Sequence, residues 1–533
     1  MRRTYGPWVV LSALLTGSAL GLMDSTITNV AVPSLIHDLD AHVDQILWVG
    51  NGYLLGYAAL VVTAGRLGDL FSQKRVFLLG VALFVLSSVA CAFAQSADMF
   101  IAARVAQGLS AALFGPQSMA IITHIFPVER RGTAFGVWGS VAGLSVAAGP
   151  TVGGLLVSTL GWRWVFLINV VIGAVAIVYA AIVVPDVRFG RRPRLDIAGS
   201  VLLTLGLFLI VYGLLEGESH QWGRLWGPVT APMVIVAGVC ALAALVVVER
   251  GRQDREPLLP FGVLRNRNFV LTLGATCGLA LAVSSMLFLT LLNLQLSLGM
   301  AVLVAGLTVA TAPAVSVVVS PISGRLTDRY GGKYVLFVGM LVLATGLALL
   351  AVAEQIGSTW YDMLPGLITV GIGMGVTFAP PVAMAMSNVP KTMTGVASGC
   401  FNMARLSGSL IGSASVGALL QARLVPALTS AAERHANALP ADLRDRFVAG
   451  FATASTGDLR AHSFVVESGS ADTAALTQRL ADQVMHEGLA HAIQWTYALP
   501  VAVLVVGAVA ILGTRTANKT PAPTPQAALA KTR

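Results

Sequence analysis

The chain has 533 residues, 56% of them hydrophobic and only 11% charged. A soluble domain carries about 25% charged residues, so most of this chain does not face water and an ordinary soluble protein is excluded. The net charge of +9 does not point to nucleic acid, because the basic residues are spread between apolar runs rather than gathered in one patch.

Apolar runs of roughly 20 residues, each long enough to cross a bilayer as a helix, recur from end to end. The first follows Met1-Arg2-Arg3 and extends from about Trp8 to Val32. It carries Asp24 and lacks a small-residue cleavage site, so it reads as a retained span rather than a signal peptide. Further spans are predicted at 46–66, 76–95, 98–122, 134–157, 164–184, 197–215 and 229–248. The remaining six are 269–293, 301–322, 334–353, 361–386, 393–420 and 490–512, which makes fourteen. Cys91, Cys240, Cys277 and Cys400 all fall inside spans without metal or redox spacing, so neither zinc nor a disulfide is expected.

Charge tests this count. With the N-terminus in the cytoplasm, 24 of the 34 Lys and Arg residues fall on the cytoplasmic side, and the short outside loops hold only Arg163 and Arg224. This is the positive-inside pattern, which a miscounted helix would invert downstream. Arginine outnumbers lysine 29 to 5, a coding bias of GC-rich bacterial genomes. The expected location is therefore a bacterial inner (cytoplasmic) membrane, spanned many times, with both termini cytoplasmic. Residues 421–489 form the one large segment between spans, where helical periodicity predicts short amphipathic helices on the outer face. The Pro/Ala-rich tail 513–533 is expected to be disordered and cytoplasmic.

One charged phrase is written twice. "GRLGDLFSQKR" runs from Gly65 to Arg75 and "GRLTDRYGGKY" from Gly324 to Tyr334. Gly65 matches Gly324, Leu67 matches Leu326, Asp69 matches Asp328 and Lys74 matches Lys333, all at an offset of 259. Two phrases in one register indicate two copies of one structural unit. The first joins the second and third spans, the second the tenth and eleventh. That placement fits two six-helix halves with an added helix pair between them. The glycines allow a tight turn, and each carboxylate can meet exposed N–H groups at a neighbouring helix end. Lys74 or Arg75 can answer nearby carboxylates, and Arg329 and Lys333 belong to the same loop of copy two. Such a clasp would close on one face and break as the halves rock; charges that merely set topology are the plainer alternative.

With these motifs the sequence resembles the major facilitator superfamily, and within it the fourteen-helix drug:proton antiporters of the EmrB/QacA type. The phrase Gly-x-Leu-x-Asp-x-x-Gly-x-Lys/Arg is matched in both copies, except that Ser72 replaces the second glycine of copy one, which copy two keeps as Gly331. "LMDSTITNVAVPSL" (Leu22–Leu35), "RVAQGLSAA" (Arg104–Ala112) and "GVASGCFNMARLSGSLIG" (Gly395–Gly412) also resemble that subfamily. "GLSVAAGPTVGG" (Gly143–Gly154) resembles its antiporter motif, in which Gly143, Gly149, Pro150, Gly153 and Gly154 carry no chemistry but permit close packing and a kink. The resemblance implies an all-α polytopic membrane protein of the major facilitator fold. The halves would be 8–184 and 269–420 plus 490–512, with an inserted pair and linkers at 185–268 and an extracytoplasmic loop at 421–489.

Three strong charges lie within the spans: Asp24, Arg104 and Arg405. Each is costly in lipid and must face a cavity or a partner. Helical rise puts Asp24 and Arg104 at similar depth. The resemblance implies that they form a switchable, proton-coupling pair; a static ion pair fixing two helices is the alternative. Arg405 can meet an anionic substrate group or an internal carbonyl, and the sequence leaves both open. Asn51 and Tyr57 are further candidates to line a substrate cavity. The function implied is proton-driven export of amphipathic or cationic organic compounds by rocker-switch alternating access. A dedicated exporter of one native metabolite, lipid or antibiotic is the alternative. The partners would be the small organic substrate, protons and the bilayer, with a periplasmic adaptor left open. No cofactor is expected, the proton gradient supplying the energy. An ATP-driven pump would need a Gly-x-x-x-x-Gly-Lys-Ser/Thr loop, and an enzyme a clustered set of catalytic side chains; the sequence carries neither.

Overall fold

The computed structural model describes residues 5–39, 43–186, 196–219, 223–250, 265–353, 359–387, 389–439, 441–452 and 471–515. The expectation for the tail beyond 515 lies outside them. The first half consists of α1 (Pro7–Leu39), α2 (Val43–Leu70), α3 (Gln73–Ala92), α4 (Ala97–Ile125), α5 (Arg131–Thr159) and α6 (Arg163–Val183). A hairpin of helices follows, α7 (Ile197–Ser219) and α8 (Ala231–Arg250), joined by the antiparallel strands β1 (Arg224–Trp226) and β2 (Val229–Thr230). The second half holds α9 (Arg267–Leu292), α10 (Val302–Val309), α11 (Thr311–Tyr330), α12 (Gly332–Ala353) and α13 (Leu364–Ser387). It is completed by α14 (Thr394–Ala436), α15 (Ala441–Ala452), α16 (Ala471–Thr496) and α17 (Ala498–Leu512).

Local chemistry sets several helix ends. Ser72 accepts from the Arg75 N–H (3.3 Å) and Ser96 from the Met99 N–H (3.3 Å), which caps α3 and α4. Gly331 ends α11 at φ +87°, a left-handed conformation open to glycine. Pro313 has no N–H to offer the Val309 carbonyl, and the helix breaks there between α10 and α11. The single span expected at 301–322 is thus two helices.

Among the described residues, twelve helices are long and apolar enough to cross a membrane, against the fourteen expected. The two missing from that count are α2 and α7. Asn51, Tyr53, Tyr57 and several glycines dilute the apolar character of α2. The apolar stretch of α7 is only Ala198–Leu214, too short for the same criterion. The large segment 421–489 is helical as expected, in α15 and α16, but with other bounds. Its first part, to Ala436, prolongs α14 to 43 residues, and α16 begins well before the last expected span.

The outside of the bundle is apolar. On α6, Val171, Val175, Val178 and Ile182 recur every three or four residues and are each more than half exposed, which makes a stripe suited to lipid chains. Within the first half α2 lies against α4, α3 against α4 and α6, and α1 against α5. Within the second, α13 packs on α11 and α12, and α9 on α14 and α17. The halves meet along two seams, α5 with α11 and α2 with α14. The α7–α8 hairpin covers the second seam, where Leu203, Leu207 and Leu245 join one buried cluster with Leu55 and Val62 of α2 and Met403 and Leu406 of α14.

Candidate functional site

Asp24 and Arg104 meet. The Arg104 Nη1 donates to Asp24 Oδ2 at 2.6 Å, and the Asp24 side chain is 0% exposed and that of Arg104 2%. The guanidinium also donates to the Val49 carbonyl (3.0 Å) and to Gln107. The other carboxylate oxygen, Oδ1, accepts from Asn169 Nδ2 (2.7 Å) and Gln107 Nε2 (3.1 Å). Both amides in turn reach the Ser88 hydroxyl, at 3.3 and 2.7 Å. The Tyr53 ring covers the guanidinium, with Arg104 Cζ 4.7 Å from its centroid. Five helices, α1, α2, α3, α4 and α6, thus contribute to one sealed polar site around a single carboxylate. A buried carboxylate is tolerated only when paired and hydrogen-bonded, and both conditions hold here. Gln107 and Asn169 were not singled out by the sequence reading. The signal was available, since both are amide side chains inside apolar spans and Gln107 stands three residues after Arg104, on the same helix face.

Arg405 lies in the other half. On α14, Gly395, Ser398, Asn402 and Arg405 recur every three or four residues and so share a face. The first three contact the first half: the Gly395 N–H donates to Asp69 (2.9 Å), Ser398 Oγ to the Pro116 carbonyl (2.8 Å) and Asn402 Nδ2 to Met119 Sδ (3.5 Å). Arg405 is the next polar residue along that face. Its side chain is half-buried, close to Tyr57 across the seam. Asn51 is half-buried on α2, two residues before Tyr53 and outside the Asp24 network.

The repeated phrase builds two reciprocal clasps. Asp69, at the end of α2, accepts from the Gly395 and Val396 N–H groups (2.9 and 3.1 Å) at the start of α14. Asp328, at the end of α11, accepts from the Gly132 and Thr133 N–H groups (both 2.7 Å) and the Thr133 hydroxyl (2.6 Å) at the start of α5. Each carboxylate therefore neutralises the positive end of a helix in the opposite half. The backbones touch as well: a Cβ on Gly65 would run into the Gly395 carbonyl, and one on Gly324 into that of Gly132. The lysines are also matched, each reaching a main-chain carbonyl of its own half. Lys74 donates to the Ala181 carbonyl (2.7 Å) near the end of α6, and Lys333 to the Thr514 carbonyl (2.9 Å) after α17. Arg75 stands 3.9 Å from Asp186 and is largely exposed, whereas Arg329 lies over the Tyr330 ring at 5.2 Å. Ser72 explains the missing glycine of copy one, since it caps α3 and donates to Asp186 Oδ1 at 2.6 Å. The receiving helix ends were not anticipated, yet they repeat too: Pro127, Gly132 and Gly136 match Pro390, Gly395 and Gly399 at an offset of 263.

The glycines of α5 divide between two partners. Gly143 faces Ser316 and Pro313 of α11, while Gly149 and Gly153 face Thr26 and Ile27 of α1. Gly154 has open space before it, and Pro150 sits inside a helix that runs unbroken from Arg131 to Thr159.

Comparison with known proteins places the chain. Residues 14–413 match the Major Facilitator Superfamily. An uncharacterized MFS-type transporter of Mycobacterium tuberculosis is 34% identical over 83% of this chain and 77% of its own length. The probable actinorhodin transporter of Streptomyces coelicolor is 34% identical over 77% and 72%, and the multidrug resistance protein Stp of M. tuberculosis 32% identical over 80% and 78%. Among solved structures, the human organic anion transporter MFSD10 superposes with a TM-score of 0.58 over 94% of this chain and 100% of its own, at 12% identity, a likeness of fold. The paired halves, the multi-pass apolar helices and these relatives agree: the chain is a membrane transporter of the major facilitator superfamily.

Proposed function

We propose that the protein is a proton-coupled antiporter that exports amphipathic organic compounds by alternating access, as a fourteen-span member of the EmrB/QacA type. The buried Asp24–Arg104 pair carries this reading. Its carboxylate is stabilised by one guanidinium and two amides in a site closed to water, so a movement that withdraws Arg104 leaves an acid that must take up a proton. The clasps and the seams supply the two-state element that such a movement requires. Export rather than import is supported by the glycine packing of α5 and by the resistance and transport functions in the relatives' names. The fourteen-span topology adds α2 and α7 to the twelve long apolar helices and puts both termini in the cytoplasm, as the distribution of basic residues favours.

The test is transport in proteoliposomes under an imposed pH gradient, with a panel of amphipathic compounds of each charge. Wild type is expected to move at least one compound with counterflow of protons. Asp24→Asn is expected to bind that compound but to lose gradient-driven movement at least tenfold. Retained gradient-driven movement in Asp24→Asn would place the coupling elsewhere and sink the proposal. A second reading, a dedicated exporter of one native compound, draws on the relative named as a probable actinorhodin transporter; it predicts that one compound moves and chemically unrelated ones do not.

A further inference from the structure

We infer that the substrate site of this exporter selects acids: Arg405, with the Tyr57 hydroxyl beside it, receives a carboxylate or ionised phenol of an amphipathic compound. The inference rests on the export reading above and narrows its substrate class.

Three charges lie within the apolar spans, and two of them cancel. Asp24 is sealed against Arg104 and two amides, with no exposed surface. It therefore offers nothing to a cation entering between the halves. Arg405 is different. Among the described residues no carboxylate pairs with it, and its neighbour across the seam, Tyr57, is a neutral phenol. A guanidinium carries five N–H donors in a planar fork that matches a carboxylate. A neutral phenol nearby cannot neutralise that fork, and half-burial keeps it open to an approaching group.

Its position fits a floor. Below Arg405 on the same face, Asn402, Ser398 and Gly395 are each closed onto the first half. Arg405 is the first residue of that face beyond the closed contacts. The site also adjoins the proton pair. Tyr57 and Tyr53 stand four residues apart on α2, hence on one face. Tyr57 stands near Arg405 while Tyr53 covers Arg104. An anion drawn to Arg405 would thus arrive one helical turn from the tyrosine that packs the Asp24 partner.

The experiment compares two probes of one ring system and opposite charge, 9-anthracenecarboxylate and 9-anthracenemethylammonium. Binding to the full-length protein is read by energy transfer from tryptophan. Wild type is expected to bind the carboxylate at least about tenfold more tightly, the scale of one charge-assisted hydrogen bond. Arg405→Gln should remove that preference without weakening the ammonium probe. Arg405→Lys, which keeps the charge but not the fork, should fall between them, and Tyr57→Phe should weaken the carboxylate severalfold. The two conservative variants decide the matter if Arg405→Gln does not fold. Equal affinities in wild type, preference for the ammonium probe, or an equal loss of both probes in the variants would overturn the inference. Transport of the same probes separates it from the export reading. Gradient-driven movement of the ammonium probe alone upholds export and removes the acid site. Arg405-dependent binding of the carboxylate, with neither probe moved, upholds the acid site and removes export.

Discussion

At the scale of single residues, the Asp24 site distinguishes removing a charge from stranding one. Arg104→Ala leaves a buried carboxylate with only neutral donors, a loss of about 3–5 kcal/mol for a broken buried pair. Asp24→Asn keeps the shape and can still bond Arg104, although it leaves that guanidinium uncompensated. The double variant Asp24→Asn/Arg104→Ala strands neither charge. Thermal unfolding is therefore expected to rank Arg104→Ala lowest, with the double variant recovering part of the loss; strictly additive losses would show that the two side chains do not interact. Asn169→Leu should cost about 1–3 kcal/mol, because it takes one donor from Asp24 and leaves the ion pair. The charged pair was legible in the sequence, since an Asp and an Arg inside apolar spans require each other or a cavity. The amides were less so, because nothing in an Asn or Gln requires a charged partner.

At the scale of elements, the clasps join the end of one helix to the start of another, so their strength depends on the water they exclude. Burial pushes the Asp69 carboxyl up to about 6, against the Gly395 and Val396 N–H groups and Gln73, which pull it down. A raised value means that protonation favours the closed clasp. The gain is complete below about pH 4 and is lost as the pH rises through about 6. The distance between spin labels placed across this seam should accordingly narrow on acidification, and Asp69→Asn should flatten that response. An equal pH response in Asp69→Asn would assign it to another group. Close approach at the other seam gives a steric prediction. A Cβ on Gly136 would lie 2.6 Å from the Ser320 carbonyl oxygen, so Gly136→Val should separate α5 from α11 and lower stability by about 1–3 kcal/mol, read as a lower unfolding temperature. Sequence reasoning found the carboxylate side of the clasps through repetition. It missed the receiving side because backbone N–H groups belong to every residue type, and only the spacing of Pro127 and Gly132 against Pro390 and Gly395 betrays them.

At the scale of the whole molecule, apolar run length and charge alternation located nearly all the helices, because both are imposed by the bilayer rather than by packing. They failed where packing decides. Polar residues of α2 face the interior and lower its apolar average, and α14 continues to Ala436 because Leu424, Leu428, Ala431 and Ala432 pack into the core of the second half. Two clasps at one end of the bundle also predict a graded result. Asp69→Ala and Asp328→Ala, which remove the acceptors altogether, should each shift the same label-distance distribution toward the open form, and their combination should shift it by the product of the two factors, as for one two-state equilibrium. A combined effect no larger than either alone would mean that a single clasp controls that end. Both carboxylates are received by main chain, and this has a consequence for how such a transporter diversifies. Glycine is demanded at 132 and 395, where a Cβ would lie 2.6 and 2.7 Å from the carboxylate oxygen, but Val396 can drift without removing a donor, and a change at Thr133 removes only its hydroxyl bond. The latch is in that sense indifferent to most of its neighbours. Residues around Arg405 and Tyr57 are then free to be rewritten for a new cargo while the closing chemistry stays in place.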